Sequence, residues 1–188
     1  YVTCGSYIEA LTLVQEGRAD MLGFFMGSDE EAARYGLACT EPYVSAAAIL
    51  VRNKNVTYPS EGRICGILSG RKFPTGIAAE KMLYYACAEE GLNAVNSGKI
   101  DFFYGTSSHL ENIIRQKNLS NVVQVSLPNR SIDIGFAVPS PVDSPLFSIL
   151  NKTVTNMTQA EKETLSSLNM VSIGDTQRSE EHTSELQS

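Results

Sequence analysis

The chain has little of what metal centres and nucleophilic enzymes are built from. It holds two histidines in 188 residues, and one of them, His182, lies in a terminal stretch set aside below. No metal site is expected: His109 stands alone, and Cys4, Cys39, Cys65 and Cys87 lack ligand spacing. None of these cysteines forms a C-x-x-C pair, and most sit among apolar neighbours. Buried free thiols are therefore the plain expectation, with a disulfide left open. There is no G-x-S-x-G, H-E-x-x-H, P-loop or dinucleotide fingerprint. A Ser-His or Cys-His pair would have to use His109; it falls on a helical stretch without such a motif nearby, so a surface histidine is expected. No apolar run approaches the ~20 residues that span a bilayer. Basic residues are scattered and the formal net charge is −6, which argues against nucleic acid as a partner.

The ends carry their own information. Residues 178–188 back-translate onto a sequencing-adapter sequence, so they are expected to be a non-native tail and are excluded from fold reasoning. The tail holds one Arg and three Glu, which leaves −4 for the rest. Residue 1 is Tyr rather than Met, so more chain is expected upstream, and the lack of a targeting segment is uninformative.

What the chain does have is one pattern written twice, 81 positions apart. Glu9, Leu11, Val14, Gly17 and Asp20 recur as Glu90, Leu92, Val95, Gly98 and Asp101, with a basic residue (Arg18, Lys99) after each Gly. Each copy reads as a helix that stops at a left-handed Gly, turns, and enters a buried strand; the basic residue suits the negative end of the helix dipole. Two such units suggest two similar α/β lobes, and paired lobes invite a ligand between them.

Other signals fill in the order of elements. Helices are expected over Ser6–Glu16, from Ser28 to about Tyr35 (Ser28 and Glu31 have capping-box spacing), over Ala88–Ser97, Ser107–Lys117 and Leu146–Met157, and over Thr158–Leu168. A short helix capped by Thr75 is expected after the Ser69–Gly76 loop. Ser144-Pro145 reads as a cap with Pro at the first helical position. In Leu146–Met157 the residues Leu146, Ile149, Leu150, Val154 and Met157 form one apolar face. Strands are expected over Ala19–Phe25, Val44–Val51, Ile64–Leu68, Met82–Ala86, Ile100–Tyr104, Val122–Val125 and Ile132–Val138, with a polar linker over Arg52–Gly62. The alternation implies an α/β fold with parallel-type sheets.

Candidate site residues follow from strand ends. Phe24, Phe25 and Met26 end the first strand and form either an apolar cleft wall or core. Arg71 and Lys72 lie in a loop after a strand, either as anion ligands or as a solvated basic turn. Tyr104, Thr106 and Ser107 end the second-copy strand at the carboxyl edge where α/β ligands bind, or simply form a turn and cap. Tyr43, beside Pro42, is expected to pack at a lobe junction. Asp20 and Asp101, at strand starts, are expected to cap or pair structurally.

The ordered set Gly17-Arg18-Ala19-Asp20, Thr40-Glu41-Pro42-Tyr43, Ser97-Gly98-Lys99-Ile100-Asp101, Ile134-Gly135-Phe136-Ala137-Val138 and Leu150-Asn151-Lys152-Thr153-Val154 resembles the bacterial extracellular solute-binding proteins of family 3. The likeness covers nearly all of residues 1–170 and looks most like the sensor-fused members. It implies a two-lobed, periplasmic-binding-protein-like (type II) fold with ligand in the cleft. Residues 1–51 would be the second part of an incomplete first lobe, residues 52–132 the second lobe, and residues 133–177 the return to the first, with crossovers near Arg52 and Ile132. With part of the first lobe upstream, residues 1–177 are expected to bind solute weakly. Amino-acid binders of this family grip the α-carboxylate with an Arg and the α-ammonium with an Asp. The matching positions here are Ala32 or Ala33, and Thr106. Losing two charge-assisted contacts of roughly 1.5–3 kcal/mol each makes a free α-amino acid a poor ligand.

The resemblance thus implies an extracytoplasmic small-solute-binding domain, in the periplasm or at the cell surface and anchored through segments outside this chain. It would be the ligand-sensing input of a sensor kinase or diguanylate cyclase. The alternative is the free substrate-binding component of an ABC transporter, and an enzyme on the same scaffold ranks below both. A small-molecule solute and a membrane-attached signalling or transport partner are implied; no cofactor and no nucleic acid are expected.

Overall fold

Both copies of the repeated pattern fold as the same device. The computed structural model describes residues 2–56, 63–142 and 145–165. The first elements are α1 (Tyr7–Gln15), β1 (Leu22–Met26), α2 (Asp29–Arg34), β2 (Leu37–Cys39) and β3 (Val44–Asn53). Then come β4 (Ile64–Leu68), β5 (Lys81–Tyr85), α3 (Ala88–Asn96), β6 (Phe102–Thr106) and α4 (Ser107–Gln116), and finally β7 (Val122–Pro139) and α5 (Pro145–Asn156). At the end of α1, Gly17 has φ +71° and its N–H donates to Val14 O, while Arg18 and Ala19 N–H both reach Leu13 O. At the end of α3, Gly98 has φ +78°, its N–H donates to Val95 O, and Lys99 and Ile100 N–H both reach Ala94 O. The two caps correspond residue for residue, and each turns the chain into a strand. No atom outside the local chain lies within 4 Å of a Cβ built on Gly17, so Gly17→Ala should act through backbone strain alone. We expect a loss of about 1–2 kcal/mol, read as a lower urea midpoint with an unchanged slope.

Seven strands form one sheet in the order β1-β7-β3-β6-β4-β5, with β2 also on β7. Its axis is the antiparallel pair β3 and β7. The first half of β3 pairs with the second half of β7 (Val44 opposite Ile134, Ala47 opposite Ser131), and its second half pairs with the start of β7 (Ile49 opposite Ser126, Asn53 opposite Val122). The register jumps between Ala47 and Ile49, where Leu127–Arg130 bulge out and Asn129 takes φ +58°. Pro128 and Asn129 read locally as a break between two strands; the ten residues of β3 instead align both pieces as one strand of 18.

Among the described residues, parallel pairing is confined to β4 with β5 and β4 with β6. The strands β3 and β7 run antiparallel because one leaves and the other returns between the two ends of the sheet. At one end α1, α2 and β1 enclose Leu11, Val14, Phe25 and Ala32. At the other, α3, α4 and β6 enclose Leu92, Val95, Phe103 and Leu110. A third cluster, with Leu50, Tyr43, Phe102 and Ile132, lies along the crossover pair.

Several local expectations need correction. The strand β2 was not anticipated; its three residues are held by β7 rather than by any pattern of their own. The Thr75-capped helix does not form: the Thr75 carbonyl accepts Arg130 Nη2 at 2.7 Å, and Thr75 and Gly76 form a turn. On α5 only Val154 is buried and Ile149 is 61% exposed, so the described residues cover only part of its apolar face. The Ser28–Glu31 capping box is present, and Thr158 and Glu161 exchange the same contacts at the head of a helix over 159–165. The Ser144 cap, most of the Arg52–Gly62 linker, the end of the Thr158–Leu168 helix and the 178–188 tail lie outside the described residues.

Candidate functional site

The carboxyl ends of β1, β4 and β6 converge on a cavity of about 400 Å3, a usual size for a small-molecule site. Phe24 and Met26 come from β1, Ile67 and Leu68 from β4, and Tyr104 and Thr106 from β6. The crossover pair contributes Val44, Ala46, Ile132 and Ile134. The head of α1 adds Ser6 and Tyr7, and the segment into α4 adds Ser108 and His109. Walls from both ends of the sheet therefore face one space.

Arg71 is delivered to this space by a tight turn. Its N–H bonds back to Leu68 O at 3.2 Å, and Gly70 takes φ +94°. A Cβ at Gly70 would meet Leu11 Cδ1 at 2.8 Å, so the turn packs directly on α1 and tolerates only Gly. The same turn is stitched to α2: Tyr35 Oη donates to Gly70 O at 2.9 Å, Lys72 N–H donates to Glu31 Oε1 at 3.2 Å, and Lys72 Nζ pairs with Glu30 at 3.3 Å.

Five of the eight sequence candidates line the cavity: Phe24, Met26, Arg71, Tyr104 and Thr106. Three do not. Phe25 points the other way into the core around α1 and α2. Lys72 is spent on Glu30, and Ser107 Oγ on Glu111 at 2.5 Å. Period-two alternation separates Phe25 from Phe24 and Met26 and was the available signal. Tyr7, Tyr43 and His109 line the cavity without having been singled out for it. Tyr43 packs at the junction as expected, its Oη donating to Gly23 O at 2.9 Å and its ring 5.1 Å from Phe136. Asp101 is structural, its carboxylate accepting Ile64 N–H at 2.8 Å. His109 is not a free surface residue, and among the described residues no Ser or Cys hydrogen-bonds to it. All four cysteines are free thiols; Cys4 is exposed rather than buried, and burial pushes Cys65 up to about 12.

Desolvation governs the site's electrostatics. It pushes the Tyr7 hydroxyl well above the ordinary phenol value, with Arg71 opposing and Glu31 assisting. It raises Tyr104 in the same way, against the pull of Arg71 and Arg130. It lowers His109, so the imidazole is neutral at pH 7. The unfolded chain then takes up a proton near pH 6.5 more readily than the folded chain, so the contribution of His109 to stability falls as pH drops below about 6.5. Between pH 7 and pH 5 the urea midpoint should fall more steeply for the unaltered chain than for His109→Gln; parallel profiles would contradict this.

No family model and no curated protein matches the chain. Solved structures do. The VFT2 periplasmic domain of BvgS from Bordetella pertussis is 20% identical with a TM-score of 0.71, the match covering 87% of this chain and 73% of that one. A histidine kinase sensor domain with similarity to periplasmic binding proteins is 17% identical with a TM-score of 0.68, covering 86% and 74%. AbpA, an amino acid ABC transporter substrate-binding protein from Streptococcus pneumoniae solved with L-arginine, is 15% identical with a TM-score of 0.67, covering 86% and 72%. At such identities the likeness is one of fold: the chain has the α/β, two-lobed, type II periplasmic-binding-protein-like fold.

Proposed function

We propose that this chain is an extracytoplasmic small-solute-binding domain acting as the ligand-sensing input of a membrane signalling protein, a sensor kinase or diguanylate cyclase. The cavity carries this reading: its walls come from both ends of the sheet, and β3 and β7 run beneath it. A solute bound there touches both ends, so its binding energy biases their separation about the crossover pair. The lobes are assigned to residues 1–51 with 133–177, and to residues 52–132; a membrane-attached partner receives the closure. One of the similar structures is a histidine kinase sensor domain, which favours this use. The likeness to AbpA supports the alternative, a free transporter component. A membrane-spanning helix with kinase or cyclase sequence in the same reading frame decides for the first; a neighbouring permease and ATPase decide for the second.

The site is assigned binding, not catalysis. Phe24, Met26, Arg71, Tyr104 and Thr106 are its proposed ligand contacts. A free α-amino acid remains a poor ligand on this reading. Ala32 is fully buried against α1 rather than facing the cavity, and Thr106 offers an ammonium no charge. Thermal-shift screening against organic acids, amino acids, sugars and neutral solutes tests the proposal. A true ligand at 100 times its dissociation constant stabilises the fold by about 2.7 kcal/mol. A flat response across the whole library would remove the solute-binding reading.

A further inference from the structure

We infer that the cavity takes a small organic monoanion, a carboxylate on an apolar body without an ammonium group, and that Arg71 is its anchor. This rests on the solute-binding reading above and narrows it. Arg71 is the one charged side chain in the lining among the described residues; no Asp, Glu or Lys joins it. Its Nε is buried with no hydrogen-bond acceptor, and it is the one buried side-chain polar atom in that position among the described residues. Buried donors are nearly always satisfied, and a charged one above all.

Glu31 is the carboxylate that acts on both Tyr7 and Tyr104 alongside Arg71. It does not neutralise the guanidinium. Its Oε1 accepts Lys72 N–H at 3.2 Å and its Oε2 accepts Ser28 N–H at 3.1 Å, and Arg71 forms no ion pair among the described residues. Glu31 is thus spent on holding the turn that presents Arg71. Arg71 therefore lines a mostly apolar cavity without a carboxylate partner among the described residues, and a carboxylate matches a guanidinium fork with two parallel bonds.

The rest of the wall selects the body and rejects rivals. Phe24, Met26, Ile67, Ile132 and Ile134 offer apolar contact, while the Thr106 and Ser108 hydroxyls can donate to a carboxylate. One monoanion balances one guanidinium. An inorganic dianion leaves one charge uncompensated and has nothing to lay against the apolar wall. A zwitterion buries an ammonium with no carboxylate to meet it.

The test uses calorimetry and thermal shift on the full chain with benzoate, phenylacetate and isovalerate as probes. Their amides serve as uncharged counterparts, with phenylalanine as the zwitterion and inorganic sulfate as the dianion. At least one acid should bind, and its amide and the other two controls should bind at least about tenfold more weakly. Arg71→Met should weaken that acid by at least about tenfold, with Arg71→Lys between the two because it keeps the charge and loses the fork. Circular dichroism checks that each variant folds; if the Met variant does not, the Lys variant and the acid–amide ratio carry the test. Equal binding of acid and amide, unchanged binding in the Arg71 variants, or silence from all three acids overturns the inference. In the last case a neutral or zwitterionic solute that raises the melting temperature leaves the solute-binding reading standing, whereas no response to any solute removes both.

Discussion

Phe103→Ala is expected to destabilise the fold by about 3–5 kcal/mol, a large share of the roughly 5–15 kcal/mol that hold a domain together. Phe103 is fully buried in β6. Its ring meets Tyr85 edge-on at 6.1 Å and 67°. It is also wedged between two glycines: a Cβ at Gly91 in α3 would fall 2.1 Å from Phe103 Cε2, and one at Gly66 in β4 would fall 2.9 Å from Cδ2. The void left by alanine is therefore walled partly by backbone, which cannot move in as a flexible side chain would. The same geometry makes Gly91→Ala costly in the unaltered protein, by about 1–3 kcal/mol of overpacking. Combined with Phe103→Ala it should be nearly harmless, because the added methyl then enters the void; the pair should be far from additive. Denaturant midpoints for the two single variants and the double check this. A Phe103→Ala cost under about 1 kcal/mol would mean that the α3 end collapses freely.

Tyr7→Phe is the second large expected effect. The Tyr7 hydroxyl accepts from Met26 N–H at 2.9 Å and donates to Met26 O at 3.2 Å. It closes both backbone groups at the end of β1, which pairs with β7 through Met26 and Ile134 and, among the described residues, has no strand on its other side. Removing one oxygen leaves a donor and an acceptor without partners beside a mostly apolar cavity. Each orphaned group costs about 1–3 kcal/mol, so a loss of about 2–4 kcal/mol is expected. Tyr7→Phe should also raise amide exchange at Met26 selectively, which separates loss of these bonds from a general loosening. A change under about 0.5 kcal/mol would mean that water replaces the hydroxyl.

What the sequence made legible was whatever is decided within about one helical turn. The caps at Gly17 and Gly98 and the capping box at Ser28 need only neighbours a few residues away, and each forms where the pattern places it. Long-range features were hidden for the same reason. The continuity of β7 depends on β3, more than seventy residues upstream by the Ala47–Ser131 pairing. Similarly, β2 exists only because Leu37 and Cys39 meet Pro139 and Ala137. His109 reads as surface on its own helix, yet the fold half-buries it in the cavity wall. Arg71 and Lys72 are indistinguishable by composition; the turn at Gly70 sends one inward and the other to Glu30. The two-lobed plan itself was visible because the duplicated helix-to-strand unit states it twice.

The four-residue turn from Ser69 to Lys72 performs two duties at once. It places Arg71 in the cavity lining, and through Gly70 and Lys72 it is fastened to α1 and α2. On the proposed binding reading, gripping and shutting are therefore not separable parts. On that reading a substitution that retunes the Arg71 anchor also shifts how the two ends of the sheet rest against each other, and one that loosens the fastening misplaces the anchor.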